Sequence, residues 1–149
     1  MKITGVAPKI AVPTFLYIIL AVVIDSLTKP LFRITQNNYS TLVVVGILLI
    51  LIGVVLVSIV GRKLIKSYKS TILMTNGLYK VFRNPMYTAY LIFIMPGISI
   101  LFNSWLILSS VILNFILFQV FIKEEYKYLE KTFGEEYKRY LDDVWIKFL

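Results

Sequence analysis

The sequence predicts an all-α integral membrane protein, with about four transmembrane helices and a C-terminal amphipathic cytoplasmic helix, in a single domain over residues 1–149. Three observations carry this reading. The chain is 58% hydrophobic, above the usual apolar share of soluble domains. The apolar residues fall in long blocks rather than in the two-residue alternation of half-buried strands. The basic residues stand between those blocks, on what becomes one side of a bilayer.

Each element follows in order. Residues 1–9 read as a cytoplasmic lead-in to a first span over about 10–25, with Pro13 in its first turn or at a mild kink and Asp25 closing it. Lys2 and Lys9 would suit a signal peptide, but no small-residue cleavage site follows, so the span is read as retained. Residues 28–40 form a polar outer loop. The second span, 41–61, carries no charge, and its 21 residues reach roughly 31 Å, about the thickness of a hydrocarbon core. Gly46 and Gly53 lie seven apart on one face, where they suit close helix packing. A basic helical extension, Arg62–Lys69, is ended by the turn chemistry of Thr75-Asn76-Gly77.

The third span, about 86–102, begins after Pro85, and Pro96-Gly97 predicts a kink or local unwinding. Asn103-Ser104 makes a tight outer turn into the fourth span, 104–122, so that spans three and four form a hairpin. The tail, 123–149, places Tyr126, Leu129, Phe133, Tyr137, Tyr140, Leu141, Val144, Trp145 and Phe148 at spacings of mostly three and four, with Gly134 as a break. That aromatic face would lie on the bilayer or dock on the loop before span three.

Charge gives the orientation. The stretch from Arg62 to Arg83 holds six basic residues and no acid, and 14 of the 16 basic residues collect on the side shared by both termini and the middle loop. That side is expected to be cytoplasmic. The basic loop suits anionic lipid headgroups rather than nucleic acid, because its charges are tied to membrane flanks.

There is no Cys and no His. This excludes disulfides, thiolate nucleophiles, Cys/His metal centres and imidazole acid–base chemistry; no metal site is expected. Chemistry here must run on carboxylates, Tyr, Lys, Arg, Asn and the backbone. Two polar clusters meet at the cytoplasmic opening of the hairpin. One is Tyr79, Arg83, Asn84 and Tyr87; the other is Glu124 and Glu125, which point about 100° apart on a helix, so that one of them faces inward. An interfacial belt of Tyr and Arg is the plain alternative.

The set Gly77, Tyr79, Arg83, Asn84, Pro85 and Tyr87, then a hairpin, then Glu124, Glu125, Leu129, Phe133, Gly134, Tyr137 and Tyr140, resembles the integral-membrane methyltransferases, among them the isoprenylcysteine carboxyl methyltransferases and phospholipid methyltransferases. The match spans about residues 75–141. The resemblance implies S-adenosylmethionine as cofactor at the cytoplasmic end of the last spans. It implies Tyr79, Asn84, Pro85, Tyr87, Glu124 and Glu125 as cofactor-binding residues, and Arg83 and Glu125 as catalytic ones. Arg83 would hold a carboxylate of cofactor or acceptor, or pair with Glu124 or Glu125. Asn84 stands where His is common, Ala89 where Gly is usual, and the tail DDVWIKFL lacks the Pro-Arg element that often follows the last Tyr motif. None of the seven glycines forms the Gly-x-Gly turn of a soluble dinucleotide site.

The implied partners are membrane lipids and a lipophilic or lipid-modified acceptor: the carboxylate of a prenylated cysteine-type substrate, a phospholipid amine or a small thiol. The competing reading is a non-enzymatic four-span protein, a small transporter or accessory subunit. Transporters place ionisable groups within their spans, whereas here these groups gather at one face.

Overall fold

The computed structural model describes residues 5–70 and 72–149, the side chains of 66–70 excepted. Lys2 and the side chains of Lys66 and Lys69 therefore lie outside the described residues. The described residues are mostly helical, with no strand among them beyond two isolated bridges. The helices are α1 (Ala7–Thr28), α2 (Tyr39–Ser70), α3 (Pro85–Leu101), α4 (Trp105–Phe133) and α5 (Glu135–Asp143), with a single helical turn at Leu78–Val81 before α3. Among the described residues α1, α2 and α4 are long and apolar enough to cross a membrane; α3 is apolar but shorter.

Three boundaries differ from expectation. The first helix starts at Ala7, not at residue 10, because Pro8 fills its first turn and leaves Pro13 inside the helix. Residues 6–9 are consequently no loose lead-in: Val6 and Ile10 are buried in the main core beside Leu91, Phe118 and Ile122. The last long helix does not stop at Ile122 but runs on to Phe133, where Gly134 breaks it with φ +51°. The aromatic pattern of the tail does not continue as helix past Asp143; Val144 is extended and the chain turns back as a strap.

The α3–α4 hairpin forms the centre, with α2 packed along α3 and α1 along α4. The glycines allow the first of these contacts. A Cβ on Gly53 would come within 2.5 Å of Ile94 Cγ1, and one on Gly46 within 3.0 Å of the Gly97 carbonyl. Ahead of Pro96 the α3 backbone widens into a π-helical turn at Tyr90–Ile94, the local unwinding that a proline without an amide hydrogen favours. Polar side chains tie α1 to α4: Asn114 Nδ2 donates to Thr14 Oγ1 at 3.2 Å, and Tyr17 Oη lies 2.6 Å from Ser109 Oγ.

At the outer end the turn at Asn103 (φ +52°) is held by backbone bonds and by its own amide. Trp105 N donates to Phe32 O, Ile34 N to Asn103 O, and the Asn103 side chain exchanges two hydrogen bonds with the Thr35 backbone.

Candidate active site at the inner mouth of the hairpin

The segment before α3 is shaped by three residue types. Gly77 adopts φ +70°, which turns the chain after the long α2 extension. Pro85 disfavours helical backbone at the preceding residue, so Asn84 stays outside the helix (φ −129°, ψ 66°) as its N-cap. The Asn84 carbonyl then starts α3 by accepting from both the Thr88 amide (2.9 Å) and the Thr88 hydroxyl (3.0 Å). Pro85 is buried in the first helical turn, so the Arg83-Asn84 step has a fixed exit direction.

A second support comes from the far end of the chain. The strap from Val144 runs beside residues 80–84: Trp145 N donates to Lys80 O, Ile146 N to Val81 O, Arg83 N to Ile146 O and Asn84 N to Leu149 O. The bridge between Phe82 and Ile146 belongs to this pairing. Below it, Tyr137, Tyr140 and Val144 form a buried cluster against Leu73 and Tyr79, and Tyr140 Oη donates to the Tyr79 carbonyl at 2.9 Å. The aromatic face of α5 therefore docks on the loop before α3, one of the two placements expected for it.

Between these supports the predicted residues meet. The Arg83 guanidinium lies 3.2 Å from the centroid of the Tyr126 ring and donates to Tyr137 Oη from Nη2 (2.6 Å) and Nε (3.2 Å). It forms no ion pair with Glu124 or Glu125 among the described residues. Of the two roles expected for Arg83, the pairing with Glu124 or Glu125 is replaced by phenols, because α5 folds back over the loop and brings Tyr137 within reach. Asn84 is buried and donates from Nδ2 to Tyr126 Oη at 2.5 Å.

The two glutamates divide as their angular separation requires. Glu124 faces outward and pairs with Lys9 Nζ at 2.6 Å, both side chains half exposed. Glu125 faces inward, accepts from the Val6 amide and sits 3.5 Å from Tyr87 Oη. Tyr87 in turn leans on Phe118. Tyr79 stands close enough to feel Glu125: burial first, and the glutamate's charge second, push its hydroxyl up to about 12. Burial likewise raises the Tyr137 hydroxyl, an effect that Arg83 opposes.

Sequence reasoning missed three contributors. Tyr126, placed only in an aromatic stripe, is the hub that touches both Arg83 and Asn84. Val6 and Lys9, taken as lead-in, close the glutamate side. The position of Tyr126 next to Glu125 was a usable signal; nothing local marks Val6. A separate polar cleft of about 500 Å³, lined by Thr75, Asn76, Lys80, Glu136, Arg139 and Tyr140, includes none of the predicted site residues.

An apolar helical hairpin that gathers a cation, an inward carboxylate, an amide and several phenols at one membrane face defines a membrane protein with an interfacial polar site. Residues 41–136 match the family model of the phospholipid methyltransferases, and the chain belongs to that family. The matched segment begins with α2 and ends in α5, so it contains every predicted site residue. No curated protein and no solved structure matches the chain.

Proposed function

We propose that this protein transfers a methyl group from S-adenosylmethionine to a lipophilic acceptor at the cytoplasmic membrane face. The carrying observation is the convergence of Arg83, Asn84, Tyr87 and Glu125 on one mouth of an otherwise apolar hairpin, in a chain of a methyltransferase family. The donor set suits a zwitterionic, cationic cofactor. Arg83 and Glu125 carry opposite charge at the same mouth without forming an ion pair, and Arg83 keeps N–H groups beyond the two that Tyr137 accepts. Arg83 would hold a carboxylate by its fork, Glu125 an ammonium or ribose hydroxyls, and Asn84 Oδ1 a further donor.

S-adenosylmethionine supplies, when bound, an electrophilic methyl on a sulfonium. The work left to the chain is alignment, which can remove roughly 7–11 kcal/mol of barrier. Tyr126 and Tyr137 fix the plane of the Arg83 guanidinium, and Tyr87 and Val6 fix the Glu125 carboxylate. The apolar packing of Leu91, Phe118 and Ile122 excludes water from the floor. A carboxylate or thiolate acceptor needs no proton removed. An amine acceptor must lose one, and Glu125 would take it.

The orientation follows from the basic residues at this face, which point it to the cytoplasm. The test is calorimetric titration of purified protein in lipid nanodiscs with S-adenosylhomocysteine, beside Glu125→Ala, followed by methyl-transfer assays on a prenylated cysteine, a phospholipid amine and an apolar thiol. Saturable binding lost in the variant is expected. Absence of binding by folded protein overturns the reading.

A further inference from the structure

We propose that the strap Val144–Leu149 is a bilayer-seated depth anchor: Trp145 and Phe148 insert into the leaflet at the inner face, and the backbone bonds of the strap hold the Arg83-Asn84 turn at that depth. The partner is the lipid leaflet itself. This goes beyond methyl transfer and holds whatever chemistry the site performs; it rests on α4 crossing a membrane.

On α4 the residues Ile112, Phe115, Ile116 and Val120 form an exposed apolar face, the face a spanning helix turns to lipid. Gln119 stands on that stripe, three and four residues after Ile116 and Phe115 and seven after Ile112. A side-chain amide facing hydrocarbon is costly unless it is bonded. The strap bonds it: Gln119 Nε2 donates to the Phe148 carbonyl at 3.1 Å.

This contact fixes the level of the strap. Gln119 lies four residues inward of Lys123, the first charge at this end of α4, which is about 6 Å along the helix. Phe148 is therefore level with the last apolar turn of the span, not with the water outside it. Yet its side chain is 62% exposed and that of Trp145 is 75% exposed, next to Ile116 (54%) and Val120 (57%). Such exposure is costly in water and favourable in lipid, and Phe148, held to Gln119 through its carbonyl, stands beside the lipid-facing stripe of α4, with Trp145 three residues before it on the same strap. An indole at the boundary between headgroups and chains is where tryptophan concentrates in membrane proteins. Lys147, exposed between the two rings, and Lys80, paired with the strap through its carbonyl, suit the headgroup side.

The same strap carries the site. Its backbone bonds reach Lys80, Val81, Arg83 and Asn84, so a force that keeps Trp145 and Phe148 in the leaflet also keeps the Arg83-Asn84 turn at the interface.

Two position measurements test this without reference to activity. In Trp105→Phe protein, Trp145 is the remaining tryptophan. In liposomes its emission should be quenched by lipids brominated on upper acyl carbons more than by lipids brominated near the chain ends, and only weakly by aqueous acrylamide. Strong acrylamide quenching without bromolipid quenching overturns the proposal.

The chain has no cysteine, so Lys80→Cys gives one site for a nitroxide. Its accessibility to oxygen relative to an aqueous nickel chelate should fall when Trp145→Ala and Phe148→Ala are combined with it, as the loop rises toward water. An unchanged ratio, in protein with the parent melting temperature, overturns the anchoring. Should the double variant not fold, a nitroxide at Phe148→Cys in the otherwise native chain decides instead: greater accessibility to oxygen supports the seating, and greater accessibility to nickel overturns it.

Discussion

The two ends of the α3–α4 hairpin are built on opposite principles. At the outer end the turn is closed by backbone groups and one amide: Asn103 satisfies Thr35 twice, and Trp105 and Ile34 pair with neighbouring carbonyls. The charges near that end, Lys29 and Arg33, form no ion pair among the described residues. At the inner end the backbone is held from outside, by the strap, and the space between is filled by side chains: a guanidinium on phenols and a carboxylate half inside the protein. The outer end spends its polar groups on closing the turn. The inner end keeps a cation and a half-buried carboxylate that are not paired with each other, an arrangement that costs stability and suits a charged ligand.

The sharpest way to break this contrast is to remove the inner charge while keeping its shape. Glu125→Gln should weaken S-adenosylhomocysteine binding by roughly tenfold to a hundredfold, the worth of a charged hydrogen bond. Its melting temperature should not fall, because a buried charge is removed and Gln Oε1 can still accept from Val6. A clear drop in melting temperature would make Glu125 a structural residue.

The converse variant is Asn103→Ala. It should cost about 2 kcal/mol of stability, through two lost hydrogen bonds and a residue disfavoured at positive φ, and leave binding unchanged. Weaker binding at unchanged stability would contradict the division between the two ends.

Alkaline titration bears on the inner end. With Tyr79 at about 12 when folded and 10.0 when not, both states keep the proton below pH 10. Between pH 10 and 12 the unfolded chain releases it and the folded one does not, so stability falls as pH rises, by up to about 1.4 kcal/mol per unit. Tyr79→Phe should reduce this slope without abolishing it, since Tyr137 and Tyr140 are raised as well. The phenolate ultraviolet band checks the titration, and denaturant melts check the slope. The smallest effect is expected of Glu124→Ala. It removes an exposed pair with Lys9, worth about 0.2–1 kcal/mol, and should change binding less than about fivefold. A loss as large as that of Glu125→Gln would show that the outward glutamate also serves the ligand.

Much of the fold was legible because hydrophobic blocks and turn residues act locally. The second span, the basic extension of α2, the glycine contacts with α3, the loosened backbone before Pro96 and the break at Gly134 can each be read from a few neighbouring residues. The errors arose where distant contacts decide. Residues 6–9 became helix and core because α4 offers Phe118, Ile122 and the two glutamates as partners. The tail left its helix after Asp143 because the chain at 80–84 offers a row of unpaired backbone groups. At the site, the motif brought Arg83, Asn84, Tyr87 and Glu125 to one mouth, while Glu124 turned outward to Lys9. It gave no hint that Arg83 would meet phenols, since that depends on α5 folding back across 54 residues of sequence.

The contacts of the two glutamates bear on how such a chain is made. The groups that settle the glutamates, the Val6 amide and the Lys9 ammonium, are translated 115 or more residues before Glu124 and Glu125. The first helix must therefore wait in the bilayer, through the insertion of α2 and α3, until the last long helix arrives to meet it. The pocket is then the final thing assembled, and a ribosome-bound intermediate without α4 would hold a membrane-inserted α1 with no partner for Lys9.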